Sequence, residues 1–335
     1  MKFAYVPALA AAALCAQAVA EPVQVKFADP IPPTGFLHTQ AFVPWVEEVN
    51  AAAAGAIEVK LFPGPAIANL GNVYDRVLNG VADIAWGNFA PVTTQFPKSN
   101  VATLPFETRS GTESSLGFWR VFANGTIADE YQAVKVLALT TFPGIHLHGK
   151  KAVRTMDDLK GMKISAEGRV TTQSLENLGA TPVHMGVFEV YQALQRGTID
   201  AVAIAWPAVP VFKLVEVTSH HLEAPFGNDS GYVVMNKDSY GRLPEAGRAA
   251  IDKLSGEALA ERLRAVIDAA VASSRAMAEK TSGHVVEKLA PEEDARWAAK
   301  VAPAVDEWAK STPDGARVLA AFRAEVRKIR EGEKK

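Results

Sequence analysis

A single cysteine, Cys15, stands in the 335 residues, so no intramolecular disulfide braces the fold and no thiolate-rich metal site can form. A dominant charge is lacking too. Thirty-five Lys and Arg against 37 Asp and Glu leave a net charge of −2, which offers no field to nucleic acid or to an anionic membrane. Beyond the N-terminal segment no apolar run approaches the roughly 20 residues that span a bilayer. The sequence has no Gly-x-Ser-x-Gly elbow, no His-Glu-x-x-His pair and no Gly-rich phosphate loop, so the common hydrolytic and phosphate-handling motifs are missing. What is present is 48% hydrophobic and 21% charged residues, enough to bury a sizeable core. The length suits two domains of about 150 residues each.

Lys2 is the only charge ahead of Glu21, and between them runs FAYVPALAAAALCAQAVA. A basic start, a short apolar stretch and the small-x-small ending Ala18-Val19-Ala20 form the pattern of a secretory signal peptide cut before Glu21. The expectation is a signal peptide at 1–20 and a periplasmic protein without cysteine. Leu14 ahead of Cys15 disfavours a lipoprotein anchor.

The periodicities alternate between strand and helix. Residues 23–27 and 57–61 alternate apolar and polar, as half-buried strands do. Residues 35–54 read as a helix closed by Gly55, with Pro44 as an irregularity. Leu70, Val73, Tyr74, Val77 and Leu78 share one helical face, and the apolar run 81–86 reads as a strand covered on both sides. A second set follows: strands at 134–141, after 159 and at 199–206, with helices at 171–178 and 187–195. Leu243-Pro244-Glu245 opens one long helix toward Lys280, and the charged tail 291–335 is helical. This is an α/β pattern with crossover connections. The halves echo each other: Gly80-Val81-Ala82-Asp83 leads to Trp86, and Gly197-Thr198-Ile199-Asp200 leads to Trp206. Each tryptophan is expected at the carboxyl end of a strand, where open α/β sheets place their ligand crevice.

Long ordered motifs carry a resemblance. Leu159-Lys160-Gly161-Met162-Lys163-Ile164 precedes Leu178-Gly179-Ala180-Thr181-Pro182 and Met185, then Glu189-Val190-Tyr191-Gln192-Ala193-Leu194-Gln195-Arg196-Gly197 and Asp200. Weaker agreement lies in Phe96-Pro97, Leu104-Pro105-Phe106, Met235-Asn236-Lys237 and Leu243-Pro244. In these the chain resembles the extracytoplasmic solute receptors of TRAP transporters, the DctP-type family. The resemblance implies an α/β, two-domain periplasmic binding protein fold, with a ligand cleft between the domains and a long helix crossing both. The expected first domain is 21–142 plus 228–270, and the second 143–227 plus 271–335. It implies hinge closure on a small organic acid, delivery to small and large membrane subunits, and neither enzymatic activity nor a cofactor. The competing readings are a non-carboxylate ligand, a receptor serving a sensor kinase, and an exported hydrolase.

One departure stands out. Where the family usually carries an arginine that clamps the ligand carboxylate, this chain has Ser165, which cannot replace the guanidinium fork. Arg169, ahead of the candidate helix caps Thr171 and Thr172, is the alternative cation; its competing reading is a surface arginine. Trp86 and Trp206 are candidate cleft walls, with core packing as the competing role, and Phe89, Phe142, Ile204 and Phe226 are further candidate ligand contacts. Phe36, Leu37 and His38, after the first strand, are a pocket edge implied by the resemblance, with solvent-facing loop residues as the competing reading. His146 is a candidate hydrogen-bond partner, though a structural role weighs more heavily for it, as for His148, His220 and His221. Glu167 would repel an anion unless Arg169 offsets it, or would accept from a ligand hydroxyl or amine. Asn228 and Asp229 could reach the cleft, with a turn role favoured. The aromatic candidates and the missing arginine point toward an aromatic or apolar monocarboxylate.

Overall fold

The computed structural model describes residues 21–224 and 226–332; the expected signal peptide at 1–20 lies outside them. One mixed sheet has the order β2-β1-β3-β10-β4, formed by β1 (Val23–Asp29), β2 (Ile57–Pro63), β3 (Ile84–Asn88), β4 (Val134–Phe142) and β10 (Asp229–Asn236). β1 runs parallel to β2 and β3, whereas β10 runs antiparallel to β3 and β4. The other sheet has the order β11-β9-β5-β8-β6-β7, from β5 (Ile145–Gly149), β6 (Lys163–Ala166), β7 (Thr181–Val183), β8 (Ala201–Ala205), β9 (His220–Glu223) and β11 (Val285–Lys288). The helices are α1 (Val43–Ala52), α2 (Val73–Leu78), α3 (Gly111–Ala123), α4 (Arg169–Asn177), α5 (Val187–Arg196) and α6 (Ala208–Val211). They continue with α7 (Lys237–Arg242), α8 (Glu245–Leu254), α9 (Glu257–Lys280), α10 (Pro291–Ser311) and α11 (Gly315–Gly332).

Two expected elements change shape for local reasons. The helix expected at 35–54 begins as a π-helical turn over His38–Phe42 before α1. Pro44 has no N–H for the i−4 carbonyl, so an uninterrupted α-ladder cannot run through it. The single helix expected from Leu243 to Lys280 is two, α8 and α9. Gly256 breaks it at φ +73°, and its N–H turns instead to the Leu137 carbonyl at 2.6 Å. A further helix, α3, was not among the expected elements; Gly111, Ser114, Ser115 and Gly117 face inward in it, so its buried side carries few large apolar residues. Its neighbour α11 packs so closely that a Cβ on Gly117 would meet Phe322 and Val326 at 3.1–3.2 Å.

Each sheet has its own packing. Val25, Phe27, Val59 and Ile84 pack against Trp45 and Val49 of α1, and Leu263 and Ile267 of α9 close the same layer. Leu147, Ile164, Leu175 and Leu222 pack with Trp297 and Val301 of α10. The same α10 then sends Ala304, Val305 and Trp308 into the core of the first sheet, joined by Val318, Phe322 and Val326 of α11. Arg330 grips Glu113 of α3 through two hydrogen bonds of 2.7 Å, and Arg323 grips Glu107 likewise. The assignment of 271–335 to the second domain is therefore corrected: α10 bridges both cores, and α11 returns to the first.

The chain crosses between the sheets after β4, after β9 and along α9. The two strand crossings are tied together. Ile145 N–H donates to the Gly227 carbonyl at 2.9 Å, and Gly144 N–H donates to Asn228 Oδ1 at 3.2 Å. Asn228 Nδ2 donates to the Ala102 carbonyl and to Thr108 Oγ1, each at 3.0 Å. Gly227 sits at φ +103°, and a Cβ there would lie 2.1 Å from the Thr103 carbonyl oxygen. Gly227→Ala is expected to destabilise the protein by at least about 2 kcal/mol, combining backbone strain with a collision against main chain. Denaturant unfolding checks this, and a midpoint equal to that of the wild type would contradict it.

Candidate functional site

Between the two sheets lies a cleft of about 1370 Å³, larger than the few hundred to about 1,000 Å³ of common small-molecule sites. Its floor is the middle of α9, where Ala269, Ala270, Ser273 and Ser274 face it. Small side chains there leave the room. The first-sheet wall is aromatic. Trp86 of β3 meets Phe142 of β4 edge-on at 6.4 Å and Phe42 at 6.2 Å, and Phe36 extends the wall from the loop after β1. The Trp86 indole N–H is buried with no hydrogen-bond partner among the described residues. Phe89 touches the cleft but is 2% exposed, held edge-on by Phe96 and Tyr232. It backs the wall rather than forming it.

The opposite wall comes from the turn between β6 and α4, with Ile204 of β8 and the apolar rim residues Val187, Phe188 and Phe212. Ser165 ends inside the cleft on β6, buried, and its hydroxyl has no protein partner among the described residues. Arg169 is the first residue of α4, capped by Gly168. Thr171 and Thr172 are therefore inside the helix rather than its caps: Thr171 is buried, and Thr172 Oγ1 bonds back to the Gly168 carbonyl at 3.0 Å. The Arg169 side chain is exposed, faces the cleft, and has no ion pair among the described residues.

Two carboxylates share this space. Glu167 lies between Ser165 and Arg169; burial pushes its carboxyl up to about 7, Asp229 raises it further, and the Val187 backbone amide offsets only part. Asp229 opens β10 from the other sheet and is pushed up to about 6 by burial, against the lowering effect of Asn88. Asn88 Nδ2 donates to Asp229 Oδ2 at 2.5 Å, and the Asn88 Oδ1 accepts from the Ala90 N–H at 2.6 Å. Asn228 lines the cleft, but its amide is spent on the crossing described above. Glu167, Arg169 and Asp229 are the charged residues among those lining the cleft.

Four sequence candidates do not line the cleft. His38 Nδ1 instead meets Asp29 Oδ2 at 2.7 Å, a fully buried carboxyl pushed up to about 6 by burial despite that bond. His146 is turned to the Ala224 carbonyl. Trp206 is wholly buried among His146, His148 and His221, and its indole donates to Glu223 at 3.1 Å. Phe226 packs on Trp297. The echo between Trp86 and Trp206 thus ends in opposite surroundings, because Trp86 sits within its strand while Trp206 follows the end of β8 and folds back. Asn88 and the α9 floor were missed; the cluster Ala269, Ala270, Ser273 and Ser274, interrupting an apolar helix stripe, was the available signal.

The histidines around Trp206 form a chain of their own. His148 Nε2 reaches the Ile204 carbonyl at 3.2 Å, His148 Nδ1 reaches His221 Nδ1 at 2.8 Å, and His221 Nε2 reaches His284 Nδ1 at 3.0 Å. A carbonyl only accepts, so His148 carries its proton on Nε2 and accepts at Nδ1. His221 must then donate from Nδ1 and accept at Nε2, and His284 must donate from Nδ1. One direction of donation runs along the chain, and it requires neutral rings. Burial keeps them so: His148 is held well below the ordinary range, and His221 falls from 6.5 to about 4.

Residues 27–311 match the DctP family, described as "Bacterial extracellular solute-binding protein, family 7". The chain belongs to that family. Among solved structures it is similar to a TRAP solute-binding protein from an unidentified marine metagenome microbe, specific for aromatic acids and bound to metahydroxyphenylacetate. That pair shares 29% identity over 92% of this chain and 99% of the other, with a TM-score of 0.86. A TRAP solute-binding protein from Rhodoferax ferrireducens with copurified benzoate matches at 28%, 93% and 99% coverage and TM-score 0.86. One from Bordetella bronchiseptica with bound (R)- and (S)-mandelate matches at 27%, 92% and 100% coverage and TM-score 0.83. Among the described residues no helix is long and apolar enough to cross a membrane.

The histidine chain has a consequence for acid stability. With a folded-state value near 4 for His221 against 6.5 in the unfolded chain, the unfolded state takes up the proton first. Its contribution is full above pH 6.5 and is lost as pH falls toward 4. In an NMR titration the His221 ring is expected to stay neutral until about pH 4; a midpoint near 6.5 would contradict the assignment of protons.

Proposed function

We propose that this protein is the periplasmic receptor of a TRAP transporter, that it captures a small aromatic monocarboxylate, and that it releases it unaltered to the small and large membrane subunits. The observation that carries the reading is Arg169, an exposed guanidinium with no ion pair among the described residues, facing an aromatic wall across a cleft between two separately packed sheets. A carboxylate accepts two parallel donors from a guanidinium. The ring of an aromatic acid would then lie toward Trp86, Phe142 and Phe36, removing apolar surface from water at roughly 25 cal/mol per Å². Ser165, on the strand leading to Arg169, adds a short hydroxyl where a longer cation would fill the space. That the related TRAP proteins hold metahydroxyphenylacetate, benzoate and mandelate supports the same ligand class here.

Contacts to both walls at once are available only when the walls approach, so a bound acid favours the closed form by the affinity it gains there. The bending elements in this reading are the strand crossings near Gly144 and Gly227 and the middle of α9. The lobes that move are the two sheets with their helices, and the closed form is the one presented to the membrane subunits.

Benzoate at 100 times its dissociation constant is expected to stabilise the protein by about 2.7 kcal/mol, read as a rise in melting temperature. Benzyl alcohol, which keeps the ring and lacks the carboxylate, is expected to give no comparable rise. If the alcohol matches the acid, the carboxylate reading fails. Arg169→Ala is expected to weaken benzoate by about tenfold to a hundredfold, the range for a charge-assisted contact of about 1.5–3 kcal/mol. Melting of the unliganded variant is expected to shift by no more than about 0.5 kcal/mol. Unchanged benzoate affinity in calorimetry would remove Arg169 from the site.

A further inference from the structure

The charge balance of the cleft does not close with a simple aromatic acid. Among the described lining residues the charged groups are Arg169, Glu167 and Asp229. A ligand carboxylate satisfies Arg169 and leaves two carboxyl groups, one from each sheet, with nothing of opposite charge in the cleft. Neither is spent elsewhere. Glu167 has only the Val187 backbone amide to offset its burial. Asp229 receives Asn88 Nδ2 on Oδ2 and its neighbour's amide, Ser230 N–H, on Oδ1, and an ionised carboxylate has about four lone-pair sites to fill. Both are partly withdrawn from water: burial pushes Asp229 up to about 6, and burial together with the charge of Asp229 pushes Glu167 up to about 7. Half-buried acceptors left without donors are costly. A site that leaves such acceptors beside an anion-binding arginine discriminates in favour of ligands that bring a donor.

We infer that Glu167 and Asp229 form a subsite for a hydrogen-bond donor carried by the ligand, so that the preferred ligand is an aromatic acid bearing a ring hydroxyl or amino group. The subsite draws one wall from the end of β6 and the other from the start of β10. A donor reaching both carboxyl groups bridges the lobes and relieves the repulsion between them as they approach. An unsubstituted ring leaves that repulsion in place. Asn88 is a positioning residue here: its amide holds Asp229 from the Trp86 strand while its own oxygen is fixed by the Ala90 N–H.

This inference rests on the acid-binding reading above, and the experiment separates the two. Calorimetry would compare benzoate with its 2-, 3- and 4-hydroxy and 3-amino derivatives against the wild type, Glu167→Gln, Asp229→Asn and Arg169→Ala. In the wild type at least one substituted benzoate is expected to bind ten times or more tighter than benzoate. In Glu167→Gln and Asp229→Asn that preference is expected to fall to threefold or less, with benzoate itself bound equally well or better because a negative charge is gone. Arg169→Ala is expected to weaken all the acids together. If no substituted benzoate exceeds benzoate, or if the preference survives both amide variants, the donor subsite is overturned while acid binding stands. If no benzoate binds the wild type, the acid-binding reading itself falls. Unliganded melting curves identify an amide variant that fails to fold; in that case Glu167→Asp, which keeps the carboxylate and withdraws it by one methylene, is expected to lower the preference, and an undiminished preference there also overturns the subsite.

Discussion

Two sheets that each bury their own side chains are joined only where the chain crosses between them, and in this protein that junction is closely bonded. Where β4 leaves the first sheet and β10 returns to it, Asn228 bonds to main chain on one side of the junction and accepts from Gly144 on the other. Gly227 passes so close to Thr103 that only a residue without a side chain fits. Buried polar groups that are fully satisfied hold the local path of the chain through the junction. The consequence is that Trp86 and Phe142 on one side, and Ser165 through Arg169 on the other, are presented across a gap instead of being buried against each other. The α9 helix keeps that gap open by lining it with Ala and Ser.

The chain end strengthens the same arrangement from outside. Pro303 lies in α10 between the residues that enter the second core and those that enter the first. A proline there removes one backbone hydrogen bond and tends to bend a helix, at the place where α10 passes from one lobe to the other. The ion pairs of α11 with Glu107 and Glu113 then hold the C-terminal helix to the first lobe. Glu113 is almost fully enclosed, and Arg330 keeps its carboxyl below the usual range.

Inside the gap the electrostatics are unusual in sign. A receptor for an anion commonly gathers donors and cations, whereas this cleft carries one arginine and two carboxyl groups. The two carboxyls escape prohibitive repulsion because burial raises their affinity for protons and Asn88 shares the load of Asp229. Trp206 and the histidine chain behind β8 are uninvolved in that balance. Their rings are neutral, packed, and satisfied by one another and by the Ile204 carbonyl, so they stiffen the second lobe without adding charge to the cleft.

The alternation of residues 23–27 and 57–61, the helix ends at Gly55 and Gly197, and the motif from Leu159 to Asp200 were sufficient to read an α/β chain, its family and Arg169 as the cation to watch, because these depend on local periodicity and on short-range backbone conformation. Side-chain direction was beyond that reach. Trp86 and Trp206 share a Gly-x-x-Asp lead-in and an apolar run, yet one faces the cleft and the other is enclosed by histidines, since the outcome depends on which strand pairs beside it and on what the following turn does. Asn228 and Asp229 are adjacent in sequence; partners more than 100 residues away commit the first to the crossing, and Asn88 together with Glu167 defines the second. Local pattern determined which elements form and what family they belong to. Burial, strand pairing and long-range hydrogen bonds, which no window of sequence contains, decided which polar groups remain free to meet a ligand.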